Sequence, residues 1–506
     1  MEHISKPNLD WSNLKTIIAY QERVAIGVKK LESLKNDLVN ETNAEKCKLL
    51  TTKLFNELSS LMLNSVSKVK NEFECLKRKR KRKIGELKFK SWWDKNFQEL
   101  YYNVVLTYIR YRDSGFSADY KSKYKEAKKM FRNKKRLNIK LKRNKKLEML
   151  NKLFKLNKNE FWTKVKLLQR KRHKINIKID DLKIEYEKLF TVSNNILGRK
   201  SNDKLEKLED FMEVNKNKRY DYVLETKVLK DIVNRLPNGK SSGFNDVNYE
   251  MIKYSNSEAI IEMIRIVYEK MIKFQVVPYL FNVSVIKPLV KDSKKLSNDI
   301  NNLRPVSISD PFANIYEAIL LREIESEYKD NNKQFGFKSF SSCSHAIFTL
   351  KQSIIKSECD KRRLYVAAID ASKAFDKVRR ELLWCKLVEI KIKPLIISGL
   401  MNYYSCSNML VSNNNQFSSI FKTTVGVKQG GVISPKLFSI YIDDLIKDIE
   451  KFKHGVNFGK VKADIVAYAD DILLISQTKA GLREQLDYVS QYGLENDIKF
   501  NRGGTI

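Results

Sequence analysis

The stretch AYADDILLIS, residues 467–476, constrains this chain more than any other. Asp470 and Asp471 stand side by side inside an apolar run. Two ionised carboxylates so placed repel each other and lose hydration, so something in the fold must offset that cost. The apolar residues before them (Ile465, Val466, Ala467, Tyr468) and after them (Ile472, Leu473, Leu474, Ile475) predict two buried strands joined by a tight turn at the acids. A plain hairpin accounts for one turn Asp. A divalent metal, held by adjacent hard oxygens, accounts for two.

A second acidic pair needs no such partner. In SPKLFSIYIDDL, residues 434–445, Leu437, Ile440, Tyr441 and Leu445 fall on one helical face. Ser434 reads as the N-cap and Pro435 as the first turn. Asp443 and Asp444 then lie on or beside the polar side, with Lys447 four residues after Asp443 to pair with it. A solvated helix face accounts for this pair.

Chemistry at Asp470 needs a further carboxylate from a neighbouring strand. YVAAIDASKAFDKV, residues 365–378, offers one: Tyr365 to Ile369 is a short strand that ends in Asp370. Asp370 and Asp470 around two ions roughly 3.5–4 Å apart would activate a hydroxyl and stabilise a leaving pyrophosphate. Taken alone, Asp370 reads equally as the N-cap of a following helix.

The net charge of +37 over 506 residues points to a polyanion such as nucleic acid. The basic residues concentrate between 68 and 178, with KRKRKRK at 77–83 and a lysine-rich run from 121 onward. Trp92, Trp93, Tyr101, Tyr102, Phe131, Phe161 and Trp162 are interleaved with them. Cations bind phosphates and aromatic rings stack on unpaired bases, although each single ring reads more readily as core. KRKRKRK serves equally as a nuclear import signal. Proline is absent between Pro7 and Pro237, which predicts long helices through the first half. Residues 179–218 read as a linker or outer helices; beyond about 219 short strands alternate with helices. No apolar run is long enough for a spanning helix, and the start MEHISKPNLDW lacks the apolar core of a signal peptide. The six cysteines include no CxxC pair and the four histidines are scattered, which argues against a zinc site and a Cys–His nucleophile.

Together YADD, IDASKAFD and GVKQGGVISPKLF (426–438) resemble a reverse transcriptase, most closely those of non-LTR (LINE-type) retrotransposons. Upstream, LPNGKSSGFNDVNYEMIK (236–253), VIKPLVKD (285–292), NNLRPVSI (301–308) and QFGFKSFSS (334–342) are similar to further family motifs in the same order. KSWWDKNF and NEFWTKVKLL resemble the basic connector that precedes the polymerase in that family.

The resemblance implies an α+β right-hand polymerase with an antiparallel palm sheet, preceded by a mainly α-helical basic region. Its expected divisions are a helical segment 1–67, a nucleic-acid-binding connector 68–218, fingers 219–360 and palm 361–506. It assigns Asp370, Asp470 and Asp471 as catalytic, metal-binding acids, Asp471 the more peripheral, with the Ala371 carbonyl completing one ion. Phe375 matches the ring that excludes a ribose 2′-OH. Gln429, Gly430 and Gly431 match the loop that approaches the nucleotide. Arg304 and Lys291 match positions that grip the triphosphate, Lys291 reading equally as a solvated loop lysine. The implied cofactor is a pair of Mg²⁺ ions, or Mn²⁺ in their place. The implied partners are an RNA template, a DNA primer or target and dNTPs, with no membrane and no protein partner. An intracellular protein acting in the nucleus, after a cytoplasmic ribonucleoprotein stage, is expected.

Three departures stand out. No endonuclease motif precedes the connector, the sequence reaches Ile506 without the family's helical thumb, and Gly504 occupies the place of a lysine in the motif ending NxxKT. The expected activity is therefore RNA-directed DNA polymerisation by two-metal nucleotidyl transfer; the alternative is a truncated, inactive RNA-binding remnant. A generic metal-dependent nuclease leaves Phe375, Gln429 and the upstream motifs without a role.

Overall fold

The computed structural model describes residues 9–80, 93–169, 175–191, 199–215, 218 and 220–505 except 256, 293 and 297. The 77–83 basic block and Trp92 lie outside the residues whose side chains are described. The chain forms two compact units, Met1–Glu74 with Lys174–Ile506, and Cys75–His173.

The larger unit opens with helices α1 (Leu14–Val28), α2 (Glu32–Asn40) and α3 (Ala44–Arg80). Tyr20, Val24, Leu38, Phe55, Leu58 and Met62 are buried from them. These side chains join one hydrophobic core with residues as distant as Leu229, Tyr268, Phe312 and Ile442. The helices at the start of the chain are thus built into the same core as the α/β region.

The second unit contains α4 (Lys95–Asp113), α5 (Ala118–Leu156) and α6 (Lys158–Gln169). Asp94 caps α4 by accepting from the Phe97 N–H at 2.7 Å. Gly115 and Phe116, both at positive φ, turn the chain back. The pairs Phe97–Phe131, Tyr108–Tyr124 and Tyr111–Tyr124 make α4 and α5 an antiparallel hairpin. Its rings divide between two roles: Phe97 is buried, whereas Tyr101, Tyr102 and Trp162 are exposed.

Back in the larger unit, α7 (Ile179–Leu189), α8 (Arg199–Asn215), α9 (Thr226–Asn234), α10 (Tyr249–Lys253) and α11 (Glu258–Phe274) lead into the sheets. One sheet combines β1 (Val283–Val290), β2 (Leu303–Ser309), β4 (Asn408–Asn413) and two short strands, β5 (Gln416–Phe417) and β6 (Phe421–Lys422). β1 runs antiparallel to β2 and parallel to β4. The other sheet is antiparallel, in the order β11 (Phe500–Thr505), β3 (Tyr365–Ala371), β10 (Asp471–Ser476), β9 (Ile465–Tyr468). A two-stranded ribbon, β7 (Val456–Asn457) with β8 (Lys462–Ala463), precedes β9. The remaining helices are α12 (Pro311–Glu327), α13 (Cys343–Cys359), α14 (Arg380–Glu389), α15 (Pro394–Ser405), α16 (Ser434–Phe452) and α17 (Lys479–Glu495).

The apolar alternation of β3 and β10 buries Ala367, Ile369, Ile472 and Leu474 against Leu445, Ile446 and Ile449 of α16 and Val489 and Tyr492 of α17. Of the two expectations for this stretch, α7 is a helix rather than a linker. Its Leu182 and Tyr186, with Phe190 just past its end, are spaced by four and pack with Ile175 on Ile286, Leu303, Met409 and Val411 of the first sheet. The acids and lysines between them gave 179–218 the texture of a linker.

The YIDD acids also differ from expectation. α16 starts at Ser434 with Ile433 in the cap position. Asp443 is 4% exposed, with Lys447 at 2.7 Å. Asp444 accepts from buried Lys386 at 2.8 Å. Lys386 of α14 and Tyr492 of α17 meet Asp444, and Tyr328 beyond α12 meets Asp443, on faces the helical wheel alone leaves in solvent.

Candidate active site

β9 and β10 form the hairpin that the apolar pattern predicts, with Ala469 and Asp470 in its turn. Ala469 adopts φ +60°, a left-handed conformation that costs a non-glycine residue free energy. Two groups hold it there. The buried Gln334 side chain accepts from the Ala469 N–H at 3.1 Å and from the Gly336 N–H at 2.9 Å. The backbone beside it is laced to β9, Phe335 N–H to the Ala467 carbonyl and Ala467 N–H to the Lys333 carbonyl. Gly336 packs so closely that a Cβ would lie 2.4 Å from the Ala469 nitrogen. The QFGF element is therefore the clasp of the acidic turn.

β3 lies beside β10, and Asp370 pairs in register with Asp471. Residues directly opposite in an antiparallel pair share a face, and like charges there repel. The Ala371 N–H donates to the Asp470 carbonyl at 3.2 Å, tying the end of β3 to the turn. Asp370 is followed by a run of turns, with α14 beginning only at Arg380, so it caps no helix.

A cavity of about 830 Å³ opens at this point. Asp370, Ala371, Phe375, Gln429, Gly430, Arg304, Lys291 and Asp470 all line it. Asp471 does not. Of the ten residues singled out in the sequence, nine, Gly431 among them, are thus gathered at one cavity and Asp471 stands beside it. Burial pushes the Asp470 carboxyl above its ordinary value; Asp471 and Asp370 add to this, and Arg304 opposes it. Among the described residues, no three acidic, histidine or cysteine side chains converge to hold an ion by themselves. The donor set nevertheless suits Mg²⁺, which is commonly held by one or two carboxylates plus substrate phosphates. Asp370, Asp470 and the Ala371 carbonyl would hold it, and a cation would relieve the repulsion among the acids.

Phe375 lines the same cavity, stacked on Phe438 at 5.0 Å and edge-on to Phe337 at 6.0 Å. The Gln429 loop is pinned from three sides. Its carbonyl accepts from the Ser307 N–H at 2.9 Å, next to the strand that carries Arg304. Its side-chain amide donates to both oxygens of Asp376 at 2.8 Å. Gly430 has φ +117°, and a Cβ there would lie 2.6 Å from the Ser307 oxygen. Lys291 is exposed, its Nζ donating to the Asn301 carbonyl at 3.1 Å.

Several groups that shape this site were not singled out from sequence. Asp376 is buried and pushed up to about 7 by loss of hydration, with Gln429 and nearby lysines acting against that rise. Glu317 is fully buried and accepts from Tyr403 at 2.8 Å and from the Val432 N–H at 2.7 Å. Buried Lys428 is drawn down to about 8 by burial, against the pull of Glu317. The available signal was charge in an apolar setting, as with Glu317 inside PFANIYEAILL. Tyr186 of α7 also lines the cavity and carried no motif.

Residues 291–503 match the family model of the reverse transcriptase (RNA-dependent DNA polymerase). Among curated proteins, the Pol polyprotein of the type-2 retrotransposable element R2DM of Drosophila melanogaster is 26% identical over 198 residues, covering 38% of this chain and 19% of that protein. The probable RNA-directed DNA polymerase from transposon BS of the same species is 24% identical over 288 residues, 55% of this chain and 31% of the relative. The RNA-directed DNA polymerase from its mobile element jockey is 22% identical over 285 residues, 54% and 30%. This chain thus spans less than a third of the length of these relatives. The fold around the acidic turn and these matches converge: residues 291–503 match a reverse transcriptase domain, and the relatives named here are proteins of transposable elements.

Proposed function

We propose that the chain extends a DNA primer along an RNA template, using the cavity between β3, the β9–β10 turn and the Gln429 loop. The observation that carries this reading is the convergence of Asp370 and Asp470 with Arg304, Lys291, Phe375 and Gln429 around one cavity. The second sheet, with α16 and α17 behind it, would be the palm; the β1–β2 ribbon, with residues 219–360 around it, would be the fingers.

In this reading Asp370 and Asp470, with the Ala371 carbonyl, hold two Mg²⁺ ions, and Asp471 tunes their field from beside the cavity. Divalent metal held there supplies activation of the primer 3′-hydroxyl and charge stabilisation of departing pyrophosphate. Arg304 offers a guanidinium fork to phosphate oxygens and Lys291 a mobile point charge. Phe375, braced by Phe438, excludes a 2′-hydroxyl. Gln429 and Gly430 present backbone to the nucleotide, since no side chain intervenes at Gly430. Among the described residues no helix is long and apolar enough to cross a membrane. We place the action in the nucleus, where the target DNA would be.

The test is primer extension on an RNA template with dNTPs and Mg²⁺, comparing the chain with its Asp470→Asn variant. Extension by the parent alone is expected. Equal extension by both would sink the site assignment, and RNA binding without extension by either would favour a retired polymerase.

A further inference from the structure

We infer that the α4–α5 hairpin carries a second nucleic-acid site, a cleft that holds the phosphates of an unpaired strand beside a pair of tyrosine rings. α5 contains sixteen Lys and Arg against three acids. They are not spread evenly around the helix. Lys121, Lys125, the adjacent pair Lys128 and Lys129, Arg132 and Arg136 follow one another at helical-turn spacing and line one cavity of about 530 Å³. That stripe runs for about 22 Å at 1.5 Å per residue, with a cation at each ~5.4 Å turn. Among the described residues none of the six has a carboxylate partner within ion-pair distance, so the charge is left facing solvent.

A lysine-rich helical face is often only a solvated surface. Two further features of the hairpin argue for a ligand here. The cations line a concavity rather than a convex face, so several can reach one chain of phosphates. Tyr111 from α4 and Tyr124 from α5 line the same cavity, with ring planes 12° apart and centroids 6.1 Å apart. Lys128 lies over the Tyr124 ring, 5.1 Å from its centroid. Flat rings beside a track of cations suit single strands, whose bases are free to stack, better than a duplex or a lipid surface. The expected ligand chemistry is a phosphodiester strand bound with little sequence preference. This inference stands apart from the polymerase reading, because no residue of the Asp470 cavity takes part.

The experiment is fluorescence anisotropy on the full chain, with a labelled 12-nucleotide oligo(U), in EDTA and without dNTPs, across a salt series. Lys125→Gln/Lys129→Gln/Arg132→Gln should weaken binding about tenfold and lower the slope of log K against log salt by about 2, three contacts at ~0.7 each. Arg143→Gln/Lys145→Gln/Lys146→Gln removes the same charge from α5 outside the cavity and should lose markedly less. Circular dichroism verifies that both variants keep their helices. Equal losses in the two variants would overturn the site in favour of diffuse charge, and no loss in the first would overturn it outright. Repeating the assay with oligo(dT) identifies the strand: whichever is held more tightly, with its affinity lost in the first variant, is the ligand. A 12-base-pair duplex, or vesicles of anionic lipid, bound as tightly as the strand would overturn the single-strand assignment.

Discussion

Gln334→Met tests whether the QFGF clasp positions the acidic turn. Methionine has similar volume, so little packing is lost. What is lost is the acceptor for two N–H groups, Ala469 and Gly336, both buried. Each hydrogen bond contributes about 1 kcal/mol net, and a stranded buried N–H costs about 1–3 kcal/mol. The two stranded groups together predict a loss of about 2–6 kcal/mol, concentrated at the turn. Ala469 sits at φ +60°, a conformation costing on the order of 1–3 kcal/mol that persists only while its surroundings enforce it. Releasing it lets Asp470 move, and a displacement of about 1 Å at a reacting centre costs roughly 10²-fold in rate. The assay pairs a urea unfolding midpoint with the primer-extension rate. Gln334→Glu provides the control: it keeps the accepting oxygen, and the amide nitrogen it gives up has no partner. Its rate should fall between parent and Met variant. A Met variant with the parent's midpoint and rate would refute the reasoning, and a lower midpoint at unchanged rate would reduce Gln334 to a purely structural role.

Four further outcomes follow from the same geometry. Asp471→Asn should retain more extension than Asp470→Asn, since Asp471 stands outside the cavity; a rate ratio measured side by side decides it. Gly430→Ala forces a Cβ against the Ser307 carbonyl at an unfavourable φ and should lower the melting temperature, a cost on the order of 1–3 kcal/mol. Phe375→Val should raise incorporation of ribonucleotides relative to dNTPs, read by competing the two in one extension reaction. Asp376 is raised to about 7 in the folded chain, above its unfolded value near 4, so its contribution to stability is fullest below about pH 4 and is lost as pH rises through about 7. Asp376→Asn should flatten that part of the curve of melting temperature against pH.

The local pattern made much of the site legible. Apolar runs interrupted by acids specify both a strand and the charge it exposes at its end, which is why the β9–β10 hairpin and the β3 strand could be read from 465–476 and 365–370. The loop at Gln429–Gly431 was legible through the family resemblance. Gln334 and Glu317 acquire their meaning only through partners 135 and 115 residues away, at Ala469 and Val432. No periodicity records such pairings. α7 read as a linker or an outer helix because its buried side chains are outnumbered by charges that face solvent.

Sequence by itself determined the acidic turn, the strand that delivers Asp370 and the long, proline-free basic helices. Each follows from side-chain period, backbone freedom or charge within a short window. Tertiary structure brought Asp370 and Asp470 to one cavity, because β3 pairs with β10 beside the acidic turn. It decided that Asp443 is covered rather than solvated, because Tyr328, just past α12, packs beside it. It also turned a basic run into a cleft, since only the fold-back of α4 on α5 brings Tyr111 beside Tyr124 and its row of cations.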